Sequence, residues 1–238
     1  MTDTLAAARY ARLRWNSPLA EDHADLLLDR LDLTADTTLV DIGCGWGELL
    51  LRAVARTYNR ATGIDSDPLA LDRGRRAAVE RGLVDRVDFV EEKAESWRGT
   101  ADRAICIGAS HALGGTRAML TALADRVPSG RVLVGDGCWA TPPTPAALDL
   151  FGNEFLSLAD LVAAANSAGW RVMHVSTADQ REWDDFESRH RAGQQEWLLD
   201  NPGDPRAGEV REWIDSRERV YLSSYRGVLG FAYLVLGR

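Results

Sequence analysis

The chain has 238 residues and a formal net charge of -8, because 36 Asp and Glu outnumber 28 Lys and Arg. Its hydrophobic fraction of 45% is ordinary for a globular protein, and its length is sufficient for one large core. An acidic chain without a basic run is poorly suited to neutralise phosphates, so we expect neither nucleic acid nor an anionic membrane surface as a partner.

Membrane-spanning, secretory and metal-binding patterns are weak in this sequence. No apolar run approaches the roughly 20 residues that cross a bilayer, and the N-terminus lacks the apolar segment of a signal peptide. We therefore expect a cytoplasmic protein. The three cysteines are far apart, which argues against a disulfide framework, and the four histidines lack metal-ligand spacing, so no metal is expected.

Short β-branched runs alternate with amphipathic helical stretches along the chain, which is typical of a parallel α/β sheet. The first helix is predicted to begin near Pro18, where the missing N–H is harmless. Helices are predicted between the strands, and a proline-rich loop is predicted at 140–145. The predicted strands, in chain order, are residues 38–42, 61–65, 86–90, 103–108, 131–135, 170–177 and 228–237.

The same pattern predicts a single domain over residues 1–238. The insertion before the last strand holds two helical segments, about residues 180–200 and 206–226, separated by the breaker NPGDP. The predicted parts of the domain are an N-terminal helical cap (1–35), a core (36–178), the helical insertion (179–226) and a closing strand (227–238).

The strongest local signal is VDIGCGWG at residues 40–47, a strand that turns through three glycines into a helix. Glycine lets a backbone approach a ligand closely, and the start of the following helix offers unpaired N–H groups. The second strand ends at Asp65, 22 residues after Gly43, where a carboxylate can accept hydrogen bonds from both hydroxyls of a ribose. We therefore predict an adenosine-containing ligand at the carboxyl edge of the sheet.

Two cofactors compete for this motif. A dinucleotide fingerprint is G-x-G-x-x-G, whereas the loop here is one residue shorter. Asp41 would repel a pyrophosphate but suits the ammonium group of a methionine moiety. No Tyr-x-x-x-Lys pair is present, because Lys93 is the only lysine and Phe89 precedes it by four residues. S-adenosylmethionine is therefore favoured over a nicotinamide dinucleotide.

Over residues 36–238 the chain resembles the class I S-adenosylmethionine-dependent methyltransferases. VDIGCGWG resembles the family's first motif, GIDSD (63–67) its ribose-binding strand end, and RVDFVEEKAESW (86–97) its adenine-binding segment. RAICIGAS (103–110) and VPSGRVLVGDGCW (127–139) resemble its fourth- and fifth-strand motifs. The resemblance implies an α/β fold with a Rossmann-like, mostly parallel seven-stranded sheet whose last strand is antiparallel. It also implies S-adenosylmethionine as cofactor and S-adenosylhomocysteine as product.

The resemblance also implies particular cofactor contacts. Asp41 would bind the amino group, Asp65 the ribose, and the backbone N–H of Ala94 the adenine ring, with Ser66 beside it. The full set of implied cofactor-binding residues is Asp41, Gly43, Cys44, Gly45, Asp65, Ser66, Lys93, Ala94, Glu95 and Ile107.

Lys93 departs from the family pattern. Many members carry an aspartate at this position, which accepts a hydrogen bond from the adenine amino group. A protonated lysine cannot accept. The adenine is then held by Glu92 or Glu95 as the acceptor, or by packing against Trp97.

His111 follows the fourth strand, where the family places substrate-side residues. A neutral imidazole can take the proton of an attacking hydroxyl or amine as a general base, an effect worth roughly 10²–10⁴-fold. The alternative is a histidine that caps the next helix or orders the loop. Displacement at a sulfonium needs mainly alignment, which supplies about 7–11 kcal/mol, so both interpretations stay open.

The insertion and the N-terminal helices are expected to form a lid over one edge of the sheet. An antiparallel last strand makes the insertion leave and return at the carboxyl edge that holds the cofactor. Aromatic residues recur in it at helical spacing, which also suits an ordinary amphipathic helix. The predicted substrate-binding residues are His111, Trp139, Trp183 and Tyr221.

The sequence thus predicts methyl transfer to an O or N atom of a small, apolar or aromatic metabolite. Amino-methylation of nucleic acid is disfavoured by the charge, and because Gly108-Ala109-Ser110 stands in place of an Asn/Asp-Pro-Pro-aromatic loop. Two alternatives stay open: a non-methylating enzyme that binds the same cofactor, and a nicotinamide-dependent oxidoreductase. The sequence predicts no oligomeric state.

Overall fold

An open α/β sheet forms the centre of the protein, whose computed structural model describes residues 5, 8 and 10–238. The strands are β1 (Thr38–Ile42), β2 (Arg60–Asp65), β3 (Val87–Glu91), β4 (Arg103–Ile107), β5 (Arg131–Trp139), β6 (Leu156–Ser157), β7 (Arg171–Thr177) and β8 (Leu229–Gly237). Their order in the sheet is β3-β2-β1-β4-β5-β8-β7, with the two-residue β6 beside β5. β8 is antiparallel to both of its neighbours, while the other pairs are parallel. The predicted Rossmann-like sheet is therefore confirmed.

Helices lie on both faces of this sheet. A 3-10 turn, Ser110–Leu113, precedes the helix that begins at Thr116, and a π-helical turn, Tyr221–Tyr225, follows the helix that ends at Val220. The predicted N-terminal cap begins at residue 1, and its residues 1–4, 6, 7 and 9 lie outside the described residues. The helices are α1 (Glu21–Leu31), α2 (Glu48–Thr57), α3 (Pro68–Glu80), α4 (Thr116–Arg126), α5 (Pro145–Phe151), α6 (Leu158–Ser167), α7 (Gln180–Asp200) and α8 (Ala207–Val220).

Two regions differ from the sequence-based prediction. β5 continues to Trp139, past the predicted end at 135, because its second half stays paired with β8 as far as Leu229. α5 and β6 occupy a stretch where the sequence predicts no element. Thr144 caps α5 by accepting from the Ala147 N–H, and Pro145 fits the first turn, where no N–H is needed.

The central strands are buried on both faces. Leu31 of α1 and Leu50 of α2 belong to the cluster on one face, and Met119 and Leu120 of α4 to the cluster on the other. On this second face the fully buried Trp170 donates from Nε1 to the Leu120 carbonyl (3.0 Å). Strands buried in this way consist of continuous apolar runs, which is why their positions could be predicted.

The insertion formed by α7, α8 and the π-helical turn is joined internally by ion pairs, one of which links Arg191 and Glu218 (2.5 Å). Arg217 donates two hydrogen bonds of 2.9 Å to Glu187, and Arg226 donates two of 2.8 Å to Asp184. Planar arginine–carboxylate pairs of this kind fix orientation as well as distance. The two halves of the insertion are therefore held in one relative position.

We predict that Gly63→Ala lowers the free energy of unfolding by about 1–3 kcal/mol, since overpacking of a core has this cost. A Cβ at Gly63 would lie 2.9 Å from the Cys44 Sγ and 3.0 Å from the Leu50 Cδ2. Gly208→Ala is the matched control, because a Cβ there meets nothing within 4 Å. It should leave stability unchanged or raise it slightly. Urea unfolding of both variants tests this, and equal midpoints would contradict it.

Candidate functional site

The glycine turn after β1 has one closed and one open position. Gly43 and Gly45 both have positive φ, 73° and 56°. A Cβ at Gly43 would lie 2.4 Å from the Ala109 Cβ, whereas a Cβ at Gly45 would meet nothing within 4 Å. Gly43 therefore allows close packing against the loop after β4, and Gly45 borders open space at the carboxyl edge.

Cys44 lies between these glycines and faces the sheet. Its N–H donates to the Ile64 carbonyl (3.0 Å), and its Sγ would lie 2.9 Å from a Cβ at Gly63. Burial raises the pKa of the thiol, so the thiol form dominates at neutral pH. The Cys44 side chain therefore packs against the sheet as a neutral thiol.

Asp65 ends β2 and holds the glycine turn. One carboxylate oxygen accepts from the Gly45 N–H (2.7 Å), and the other accepts from the Asp67 N–H (2.9 Å). Each carboxylate oxygen has a further lone pair available to a ligand hydroxyl. Ser66, the next residue, is exposed. The sequence indicated Asp65 as a ligand for ribose and gave no sign that it also fixes the turn.

Asp41 is a buried carboxylate near the same turn. It is 4% exposed, and within residues 10–238 no hydrogen bond or ion pair to its carboxylate is observed. Burial, reinforced by the negative charge of Asp65, raises the pKa of Asp41 to about 8. A buried carboxylate without a partner is costly, so this position suits a cationic ligand group.

The turn after β3 contains the predicted adenine-binding residues. Ala94 is 7% exposed, whereas Lys93 and Glu95 are exposed. Across the described chain, the Lys93 ammonium makes no hydrogen bond or ion pair, and the Ala94 N–H donates to no protein acceptor. The Ser96 N–H donates to the Lys93 carbonyl (2.9 Å) and closes the turn.

His111 lies exposed on the 3-10 turn after β4, and a buried aspartate that sequence reasoning missed anchors this turn. Asp136 of β5 is 3% exposed and accepts from the Ser110 hydroxyl (2.9 Å) and the Thr116 hydroxyl (2.6 Å). Burial raises the pKa of Asp136, although these hydrogen bonds oppose the shift. A charged residue within an otherwise buried strand was the sequence signal that could have identified it.

Aromatic rings form a continuous row over the carboxyl edge, which we call the aromatic belt. Successive ring centroids lie 5.5–6.3 Å apart, within the range of aromatic pairing. The belt includes the predicted residues Trp139 and Trp183 and reaches the glycine turn. Its members, in order, are Trp139, Phe151, Tyr225, Trp183, Phe186, His190, Tyr10 and Trp46.

Two further predicted site residues are Tyr221, next to the aromatic belt, and Ile107, at the end of β4. The Tyr221 ring is 5.2 Å from Tyr225, but its hydroxyl donates to Asp184 (2.6 Å) inside the insertion. Burial and this hydrogen bond raise the pKa of Tyr221. Ile107 ends β4 and lies where a Cβ at Gly135 would meet its Cγ2 at 2.8 Å.

A short N-terminal segment, residues 10–14, lies over the glycine turn. Arg73 donates to the carbonyls of Tyr10 (3.0 Å) and Leu13 (2.8 Å), and the Trp46 indole donates to that of Arg14. A cavity of about 340 Å³ lies between residues 13–21 and α7. Its lining includes Phe186 of the aromatic belt and none of the predicted site residues.

Two negative findings apply to the part of the chain that the structure describes. No group of three or more His, Cys, Asp or Glu is arranged to hold a metal ion. No helix there is both long and apolar enough to cross a membrane.

Known proteins share this architecture over its full length. Residues 39–130 match the family described as "Methyltransferase domain". The chain is 30% identical over 231 residues to the uncharacterized protein YjhP of Escherichia coli (strain K12). The alignment covers 94% of this chain and 93% of that protein. A SAM-dependent methyltransferase from Geobacter sulfurreducens, solved with S-adenosyl-L-homocysteine, has a TM-score of 0.89 at 29% identity, covering 99% of this chain and 98% of that one. One from Thiobacillus denitrificans, also solved with S-adenosyl-L-homocysteine, has a TM-score of 0.87 at 28% identity, covering 98% of both chains.

An open α/β sheet that presents a glycine turn and two carboxylates at the carboxyl ends of its strands is an architecture for enzymes with nucleoside-type cofactors. The similarity over nearly the whole length is more specific. The chain belongs to the class I S-adenosylmethionine-dependent methyltransferases, and its cofactor is S-adenosylmethionine. The preference for this cofactor over a nicotinamide dinucleotide is confirmed.

We predict that Asp41→Asn raises the melting temperature, and that the gain grows from pH 5 to pH 8. Because the folded pKa is about 8 and the unfolded value is near 3.8, the carboxyl group stabilises the native state at low pH and loses this contribution as pH rises towards 8. An asparagine does not titrate, and the difference is at most about 1.4 kcal/mol per pH unit. Asp88→Asn, on the exposed side of β3, is the control. A pH-independent gain would contradict the prediction.

Proposed function

We propose that the protein transfers the methyl group of S-adenosylmethionine to an O or N atom of a small, apolar or aromatic metabolite. The aromatic belt carries this proposal, because its eight rings run from Trp139 at the end of β5 to Trp46 in the glycine turn. Rings in such a place favour a flat or apolar ligand. The net charge of -8 supports a small molecule over a nucleic acid.

The residues at the edge fit the cofactor. When bound, S-adenosylmethionine supplies an electrophilic methyl group on a sulfonium, with a neutral thioether as leaving group. The unpartnered carboxylate of Asp41 would bind the ammonium, and the free lone pairs of Asp65 would accept from the ribose. The open space at Gly45 would allow close approach, and the unused Ala94 N–H would donate to the adenine.

The chain's own residues then contribute positioning and proton transfer. The belt would exclude water from the acceptor and align it, and alignment can supply about 7–11 kcal/mol. His111 would take the proton of the attacking hydroxyl or amine on an imidazole nitrogen. Asp136 holds Ser110 and Thr116, which flank this histidine, so the turn that carries the base is fixed before the acceptor arrives.

Transfer of isotope tests the proposal directly. The protein is incubated with methyl-labelled S-adenosylmethionine and a panel of phenols, amines and carboxylic acids, and the label is followed by mass spectrometry. Label in an aromatic or apolar acceptor at O or N is the expected result. Label confined to polar, charged acceptors would overturn the proposed acceptor class. Cofactor binding without transfer to any member would favour the non-methylating alternative.

We predict that S-adenosylhomocysteine binds more weakly as pH falls from 8 to 6, by up to tenfold per unit. The ligand's ammonium binds the ionised form of Asp41. Because the pKa of Asp41 is about 8, its carboxyl group must lose a proton on binding at lower pH, which weakens binding. Titration calorimetry should therefore also detect proton release on binding. Asp41→Asn should bind weakly at every pH in this range. A flat profile for the wild type would contradict the role of Asp41.

We predict that His111→Ala lowers kcat by about 10²-fold or more on the acceptor that the panel identifies, since general base catalysis has this magnitude. Affinity for S-adenosylhomocysteine should be unchanged. His174→Gln, on the edge strand β7, is the matched control and should keep wild-type kcat. Wild-type kcat in His111→Ala would assign the histidine to ordering the loop.

A further inference from the structure

A buried arginine at the end of α4 fixes the turn that contains the predicted adenine-binding residues. Arg126 is 7% exposed, and its Nη2 donates to the carbonyls of Ala94 (3.0 Å) and Trp97 (2.9 Å). Its own carbonyl accepts from the Ala101 N–H (3.0 Å). Side chain and backbone of one residue therefore dock the segment 94–101 against α4.

The carbonyl of Ala94 has a hydrogen-bond partner in the protein, whereas its N–H has none in the described structure. Its carbonyl is fixed by Arg126, while its N–H donates to no acceptor among the residues that the structure describes. Buried backbone N–H groups without a partner are rare in native proteins. The peptide unit that carries the Ala94 N–H is held at the Lys93 carbonyl, which accepts from the Ser96 N–H (2.9 Å), and Arg126 holds the next peptide unit at the Ala94 carbonyl. The direction of the N–H is therefore restricted from both sides.

Arg126 makes these contacts without a compensating carboxylate. In the described structure it forms no ion pair, its Nε is buried without an acceptor, and burial lowers the pKa of the guanidinium. Burying an unpaired cation costs free energy. An apolar side chain would fill the same space without this cost, so packing alone does not explain an arginine at this position. Nη2 donates both bonds to the turn, while Nη1 donates to the Ala122 carbonyl of α4 (3.0 Å). One planar guanidinium thus joins turn and helix through two nitrogens, which the single nitrogen of a lysine ammonium does not.

We propose that Arg126 is a positioning residue for adenine recognition, which orients the Ala94 N–H towards a ring nitrogen of the cofactor. This inference rests on the proposed cofactor site. Lys93 makes it consequential: a protonated lysine cannot accept from the adenine amino group, so recognition of the purine depends more heavily on the N–H of Ala94.

Calorimetry with two ligands tests this inference. The adenine of S-adenosylhomocysteine has an unprotonated N1, which can accept a hydrogen bond. The analogue with hypoxanthine in place of adenine carries an N–H at N1, which faces the Ala94 donor with a second donor. The wild type should prefer the adenine ligand. Arg126→Lys and Arg126→Met should bind S-adenosylhomocysteine about tenfold more weakly. The ratio of their affinities for the adenine and hypoxanthine ligands should fall towards one. Arg117→Met, at an exposed arginine of the same helix, is the control and should bind both ligands as the wild type does.

The outcomes separate the inference from the proposed cofactor site. Wild-type protein that does not bind S-adenosylhomocysteine would refute the cofactor site itself. Wild-type binding with unchanged affinity in the Arg126 variants, or with equal loss for both ligands, would overturn the inference alone. If neither variant folds, hydrogen exchange of the wild type decides: S-adenosylhomocysteine should slow exchange of the Ala94 amide, and an unprotected amide would overturn the inference.

Discussion

The two hydrogen bonds that Asp65 accepts set the geometry on which the rest of the carboxyl edge depends. Adjacent parallel strands pair along their length, but the loops that follow them have no such ladder. By accepting from the N–H groups of Gly45 and Asp67, one side chain joins the turn after β1 to the turn after β2. With this turn fixed, Gly45 borders open space, while Ala109 closes the space in front of Gly43. The opening for a ligand is thus a consequence of side-chain hydrogen bonding within the protein.

The same carboxylate has an electrostatic consequence. Asp41 is buried nearby, and its pKa is raised to about 8 by burial and by the charge of Asp65. An apolar residue at position 41 would remove this cost from a central strand. A ligand that brings a positive charge relieves it, because an opposite charge favours the ionised form. Without a ligand, this edge is therefore less stable than it would be with an apolar residue at position 41. A cationic ligand is the kind that stabilises it most.

The parts that could be predicted from the sequence depend on short-range patterns. Strands buried on both faces form apolar runs, and the glycine turn with Asp65 depends on spacing within one β-α-β unit. The contacts that could not be predicted join residues distant in the chain. Asp136 anchors the His111 turn from another strand, and the hydroxyl of Tyr221 turns to Asp184 within the insertion. Each depends on which loops meet in space, and amphipathic spacing alone does not specify that.

Under the proposed function, the cofactor and the acceptor contact groups from different parts of the fold. The cofactor edge uses backbone atoms and carboxylates whose positions follow from the sheet, so changes there disturb the fold as well as the ligand. The aromatic belt draws Trp183, Tyr225 and Tyr10 from segments outside the parallel strands. Ring size and spacing in those segments can change while β1, β2 and their turns stay intact. Under the proposed function, selectivity for the acceptor can therefore change without loss of the geometry at the cofactor edge.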